Sequence, residues 1–554
     1  MIKKNDILDL TIEDLGVNGE GIGKVDGYTL FVKDGVIGDK VTVKVMKANK
    51  NFGFARLMEI KEPSKDRVSP RCSVARQCGG CQIQCINYKE QLRFKKNKVY
   101  NNLVRIGGQS DFVMNDVMGM DEPFNYRNKS QFPVGMDKEG NIISGFYAGR
   151  THSIINIDSC NLGLKIDGRD VNKEVMDTVK AFMTKYRIAP YNEVTHKGLV
   201  RHVLIRIGAK TKQIMVCVII NGKNLPNKEK LVEELCKLEG MYSISLNINT
   251  KKSNVILGDK VINLYGPRYI EDYIGDVKFR ISPLSFFQVN PVQTEKLYNK
   301  ALEYADLTGN EMVWDLYCGI GSISLFLAKK AKQVLGVEIV PAAIADAKIN
   351  AKINSIDNAE FFVGAAEDVV TEYFDNHAGD AECKPDVIVV DPPRKGCDEK
   401  LLSTIVKMNP NRVVYVSCDS ATLARDVKWL SENGYKLKEV TPCDMFGQTT
   451  HVETVALLSK LSDAKNNIEV TVDMDEMDVT SAESKATYEE IKNYVLKTYG
   501  LKVSNLYISQ IKRKCGIEVG ENYNLPKSEG SRQPQCPLEK EKAIRDALKH
   551  FGMM

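Results

Sequence analysis

Three short, almost wholly apolar runs, 312–316, 387–390 and 413–416, set the strongest limit on what this chain folds into. A run without polar alternation is buried on both faces, as in parallel strands covered by helices. Between Val277 and Ser459 such runs recur in a strand–helix–strand rhythm, which reads as an open α/β sheet. At 554 residues the chain is too long for one core, so we expect a multi-domain protein. The boundaries are expected at 1–60 for a small β-barrel, 61–275 for a mixed α+β central domain and 276–460 for the α/β domain. An acidic linker over 461–485, with Asp473, Asp475, Glu476 and Asp478, leads to a small helical appendage over 486–554.

In the first 60 residues, β-type runs such as Tyr28–Val32 and Val41–Val45 alternate with glycine turns, the spacing of a small barrel. Lys33, Lys40, Lys44, Lys47, Lys50 and Arg56 offer it a phosphate-facing side, and Phe31, Phe52 and Phe54 are either stacking groups or core. The net charge of only +5 means that any nucleic-acid surface is local. No window approaches 18 apolar residues, and the start Met1-Ile2-Lys3-Lys4 leads into polar sequence. A membrane span and a signal peptide are therefore not expected, and a cytoplasmic location is. In that reducing setting fourteen cysteines point to metal binding or catalysis rather than disulfides. Helical periodicity is expected at 87–105, strands at 203–220 and 242–262, and a helix from Tyr488 to Leu496 ahead of the basic Lys512-Arg513-Lys514.

Val313-Trp314-Asp315-Leu316-Tyr317-Cys318-Gly319-Ile320-Gly321-Ser322 is a strand, a glycine turn and a helix start. Glycines there let backbone approach a ligand at the carboxyl end of the strand. The next strand, Gln333–Glu338, ends in an acid suited to two ribose hydroxyls. The third glycine of a dinucleotide site is missing, and no phosphate-binding lysine follows. An adenosyl sulfonium cofactor, with no pyrophosphate to cradle, suits the turn better. Val387–Val390 ends in the rigid Asp391-Pro392-Pro393-Arg394, and Val413–Val416 delivers Ser417-Cys418-Asp419. Asp419 or Ser420 is the candidate cap of the following helix, whose N–H groups are expected to lower the Cys418 pKa and favour a nucleophile. His451-Val452-Glu453 places a carboxylate in an otherwise apolar strand, where it is paired or acts as a general base.

Together with Phe286-Phe287-Gln288-Val289-Asn290, these motifs resemble the RNA uracil-5-methyltransferase family over residues 1–460. The resemblance implies a Rossmann-like S-adenosylmethionine-dependent methyltransferase domain at 276–460, with Gln288, Tyr317, Ser322, Glu338 and Asp391 on the cofactor. Ser322 stands where the family can carry asparagine. It makes Cys418 the nucleophile that adds to uracil carbon 6 and Glu453 the base that removes the carbon 5 proton. RNA cytosine-5 enzymes typically place a cysteine after the proline of the Asp391 motif, where this chain has Pro393, and base-amino methyltransferases need no Cys418.

Cys72, Cys78, Cys81 and Cys160 fit zinc or an iron–sulfur cluster equally well on spacing, with Cys85 a nearby competitor. The resemblance selects a 4Fe–4S cluster on the first four, structural or RNA-positioning in role, and makes the amino-terminal barrel a TRAM domain. That pairing resembles the 23S ribosomal RNA branch, giving large-subunit rRNA as the expected partner, with the target base extruded and no membrane or obligate protein partner; a monomer is expected. The alternatives are a tRNA (uracil-5-)-methyltransferase, a non-catalytic RNA-binding or cluster-sensing protein, and a small-molecule methyltransferase, which the barrel disfavours.

Overall fold

The computed structural model describes residues 2–149, 151–376, 384–461, 488–515, 517, 536–551 and 553. The expected acidic linker lies almost wholly outside them. Two compact units, Met1–Ala464 and Lys465–Met554, divide the chain. Among the described residues no helix is long and apolar enough to cross a membrane.

The first six strands, from Ile7–Thr11 to Phe52–Glu62, form one strongly bent sheet. It closes by packing: a Cβ on Gly23 would lie 2.5 Å from the Thr11 carbonyl oxygen, so only glycine lets these strands meet. Its core is aliphatic, with Leu30, Val32, Val41, Val43 and Val45 fully buried. Phe31, Phe52 and Phe54 lie outside that core, their ring centroids 5.5–5.9 Å apart. The core-filling alternative for these aromatics is thereby removed.

A seven-stranded mixed sheet follows, including Lys129–Met136, Val200–Ile207, Ile214–Ile220 and Met241–Ile248. Helices Val171–Lys185 and Lys228–Leu235 cover one of its faces through Val175, Val179, Phe182 and Leu231.

The third sheet has eight strands, in the order Ala359–Val363, Gln333–Glu338, Met312–Asp315, Val387–Val390, Arg412–Ser417, Glu453–Lys460, Tyr435–Cys443 and Val113–Met114. The expected apolar runs occupy its centre and are fully buried. The strand order reverses between Met312–Asp315 and Val387–Val390. A crevice therefore opens at their carboxyl ends, where such sheets bind ligands.

Helix Tyr88–Arg105 begins at Asn87, whose side chain accepts from the Glu90 N–H. It packs on helix Ser420–Glu432 and sends Lys95 into a dry site against Asp444. Lys95 also donates to the Phe446 carbonyl at 3.0 Å, and Tyr88 Oη donates to the other Asp444 oxygen at 2.7 Å. Gln91 and Gln448 exchange two hydrogen bonds, holding Gln448 in the left-handed region at φ +69°. The 444–451 loop is thus gripped by a helix 350 residues upstream.

The second unit has helices Tyr488–Tyr499, Asn505–Lys514 and Leu538–His550 around Ile491, Val495, Ile508, Ile511 and Ile544. Lys512 lies over the Tyr488 ring and Lys514 pairs with Glu541, so two residues of the basic patch are engaged within the unit.

Breaking the Lys95–Asp444 pair leaves one buried charge uncompensated. Lys95→Met should lower the free energy of urea unfolding by about 3–5 kcal/mol, and Lys95→Met with Asp444→Leu should recover much of that loss. Equal stability of the wild type and the single variant would show that the pair carries no such role.

Candidate functional site

A cavity of about 700 Å³ occupies the crevice. All seven residues singled out for cofactor and catalysis line it: Gln288, Tyr317, Ser322, Glu338, Asp391, Cys418 and Glu453. The Gly319–Gly321 turn forms one wall. Gly321 sits at φ +80°, where an added Cβ would also press on Phe361 at 3.1 Å. Below the turn Asp315 is fully buried; one oxygen accepts from Ser324 Oγ at 2.5 Å and the other, Oδ1, has no partner. Tyr298 Oη and Ser322 Oγ lie 3.0 Å apart, and Glu338 accepts from the Val340 N–H at 2.9 Å. Apolar Phe286, Ile320, Ile323, Val337 and Ile339 complete the lining beside these acids. An apolar slot with a ribose-reaching carboxylate fits an adenosyl group.

On the opposite side Cys418 follows strand Arg412–Ser417, while Glu453 opens the antiparallel strand beside it. Asp419 caps the next helix, accepting from the N–H groups of Ala421 and Thr422 at 2.9 and 3.3 Å. The expectation of a lowered Cys418 pKa is corrected here by burial and by two neighbouring acids. Burial, then Glu453 and Asp391, push the thiol up to about 11, with Arg394 opposing them. Burial, followed by Asp391, raises Glu453 to about 8, again against Arg394. Burial and then Asp315 raise Asp391 to about 7. Desolvation, then the cations Arg394, Lys98 and Lys95, lower His451, itself exposed at the cavity, to about 4 and leave it neutral.

Arg394 and Phe446 line the cavity but escaped sequence reasoning as site residues. The available signal for Arg394 was a cation, with Lys395 beside it, following two prolines at a strand end. Phe286, quoted only within a motif, is 68% exposed at the cavity.

Away from the cavity, Cys72, Cys78, Cys81 and Cys160 come near enough to influence one another. Burial first, and the neighbouring thiols with it, raise Cys78, Cys81 (to about 12) and Cys160. The Gly80 N–H points at Cys78 Sγ at 3.3 Å, the Leu162 and Gly163 N–H groups at the Cys160 sulfur, and the Gln84 side chain at that of Cys81. Cys85 instead faces Arg67 and Asp34, apart from this group. Among the described residues no group of three or more His, Cys, Asp or Glu is set to hold a metal ion.

A doubly wound sheet with an adenosine-sized cavity at its switch point, and an acid ending its second strand, defines an S-adenosylmethionine-dependent methyltransferase. Comparison with known proteins makes this specific. A model of the family described as tRNA (Uracil-5-)-methyltransferase matches residues 178–461, and a TRAM domain model matches residues 3–58. A Clostridium tetani protein named an uncharacterized RNA methyltransferase is 48% identical over 465 residues, covering 84% of this chain and 98% of its own. One of the same name from Bacillus cereus is 51% identical over 458 residues, covering 82% and 98%. The crystal structure of Pyrococcus abyssi tRNA (uracil-54, C5)-methyltransferase in complex with S-adenosyl-L-homocysteine aligns at TM-score 0.65 and 29% identity, covering 81% of this chain and 100% of that one. The chain belongs to the tRNA (Uracil-5-)-methyltransferase family and carries a TRAM domain. It is an S-adenosylmethionine-dependent RNA methyltransferase acting on uracil carbon 5.

With a thiol pKa near 11, roughly a thousandth of Cys418 is ionised at pH 8. Its alkylation by iodoacetamide in the RNA-free protein should therefore keep rising past pH 9. Arg394→Gln should slow it at any given pH, because the opposing cation is gone. A plateau below pH 8 would contradict this account of the site.

Proposed function

We propose that Cys418 and Glu453 carry the reaction while Gln288, Tyr317, Ser322, Glu338 and Asp391 hold the cofactor. The observation that carries this reading is the convergence of all seven on one cavity. S-adenosylmethionine bound there supplies an electrophilic methyl group on a sulfonium. Uracil carbon 5 alone is too weak a nucleophile to accept it. The Cys418 thiolate adds to carbon 6, and the electron pair moves to carbon 5 and the neighbouring carbonyl. Once carbon 5 is methylated, Glu453 removes its proton and the carbon–sulfur bond breaks, returning the thiolate and releasing 5-methyluracil. A carboxyl poised near 8 suits this step, since it can hold the proton and then release it. Arg394 favours the thiolate electrostatically.

For the substrate, the TRAM domain and the cysteine group support the first reading, uridine of 23S rRNA in the cytoplasm. A tRNA is the second reading. It draws on the Pyrococcus abyssi enzyme, which is described as a tRNA methyltransferase and is matched over its whole length by 81% of this chain. Unmodified rRNA and tRNA should be offered side by side with labelled cofactor. Label in 5-methyluridine from rRNA is expected, and label in tRNA alone would move the substrate. With 5-fluorouridine RNA, Cys418→Ala should form no adduct and lose at least a thousandfold in turnover. Glu453→Gln should form the adduct and release it slowly. Trapping by the Cys418 variant equal to wild type would remove the nucleophile assignment.

On the four cysteines a 4Fe–4S cluster is the first reading and zinc the alternative. Backbone and glutamine donors aimed at their sulfurs stabilise thiolates. They serve thiolates on either metal, and among the described residues no group of three or more ligands is set around one point. Anaerobically prepared protein should be brown with about four irons per chain; colourless protein with one zinc would reverse the choice.

A further inference from the structure

Two arginines lie fully buried on the strand Val200–Ile207, and their surroundings differ. Arg201 has Glu193 at 3.6 Å, the Asn249, Lys251 and Ser253 carbonyls, and the Tyr191 ring beneath its guanidinium. Arg206 has only the Ser285 carbonyl at 2.9 Å, and its Nε and Nη1 lack partners. No carboxylate faces it; burial alone brings it down to about 10. Directly across the strand pair stands Lys129, half-buried, with no acid beside it. Burial, then Arg206 and Arg127, lower Lys129 to about 7. Arg127 is also half-buried and donates its Nε to the Lys129 carbonyl at 2.9 Å. Among the described residues, these three cations thus share one place without a counter-charge. Such an arrangement is costly unless an anion completes it.

The position indicates which anion. Arg206 holds Ser285, the residue before exposed Phe286 of the catalytic cavity. Asn128, between Arg127 and Lys129, holds the carbonyl of cavity-lining Gln288 at 3.1 Å and donates its N–H to that of Val289. The cluster therefore backs the segment beside which a target nucleotide must enter. A nucleotide whose base is extruded into the cavity brings its own backbone phosphates to that rim.

We propose that Arg127, Lys129 and Arg206 form a phosphate site that grips the RNA backbone next to the target uridine. This rests on RNA being the substrate. Lys129 and Arg127 make the contacts, and Arg206 supplies a desolvated positive charge behind them and fixes the Phe286 loop at the same time. A phosphate there accepts from Lys129 and Arg127 and relieves the mutual repulsion of the three cations.

The test uses the full-length protein and a uridine-containing RNA hairpin of about 20 nucleotides, with binding followed by anisotropy from 50 to 300 mM KCl. Lys129→Gln and Arg127→Gln should each weaken RNA binding about three- to tenfold. Each should also flatten the dependence of log Kd on log salt by about 0.7–0.9. Lys129→Arg should retain the wild-type slope. Binding of S-adenosylhomocysteine, measured separately by calorimetry, should be unchanged in all three. An unchanged slope and affinity for RNA in both Gln variants overturns the site. So does a loss confined to S-adenosylhomocysteine, which would place the cations on the cofactor. Wild-type protein that binds no RNA would instead remove the substrate reading itself.

Discussion

Lys95 meets Asp444 in a site closed to water, and the geometry of the reaction centre depends on that contact. The loop from Asp444 to His451 has few backbone hydrogen bonds of its own and contains a left-handed glutamine. Its shape is imposed from outside. Lys95, Tyr88 and Gln91 hold one side, and Asn290 and Gln293 hold the other through the Met445 and Asp444 carbonyls. Lys98 adds a bond to the Thr450 carbonyl, and Asn102 reaches Ser420 beyond Cys418. One helix thus sets both the loop before Glu453 and the turn after Cys418. A desolvated pair contributes little net stability against an apolar alternative, but it is intolerant of misplacement. Intolerance of that kind is what a site built from distant segments requires.

Inside the cavity a similar economy governs charge. Asp315, Asp391 and Glu453 are crowded where water is scarce, so each holds its proton more tightly than it would in water. Glu453 and Asp391 in turn raise the Cys418 thiol, with Arg394 as the balancing charge. The low-dielectric cavity that raises these groups also strengthens their interactions with a bound cation.

Much of this was legible in the chain. The apolar runs at 312–316, 387–390 and 413–416 became the central strands because nothing but burial on both faces accommodates them. The place of Cys418 and Glu453 in the cavity was legible because they follow or open strands of that sheet. Other features were hidden. Lys95 reads as one lysine among many on a charged helix, and its partner lies 349 residues away. The thiol's proton affinity was misjudged because its burial and the approach of Glu453 and Asp391 are decided by folding, not by the residues beside Cys418. In Val-Arg-His-Val-Leu-Ile-Arg-Ile, two arginines and a histidine suggest a strand with a solvated side, yet every residue of it is buried. Only packing by other segments decides that.

The two-residue strand Val113–Met114 lies at the edge of the catalytic sheet, paired with Glu439 and Val440. More than three hundred residues separate the partners. On a ribosome the upstream piece emerges long before the strand it must cover. Until then the helix 88–105 has no catalytic layer to pack on, and the strand Tyr435–Cys443 has yet to be made. Assembly of the reaction centre is therefore a late event in synthesis, and a chain stopped short of Glu439 has no sheet edge for this strand to close.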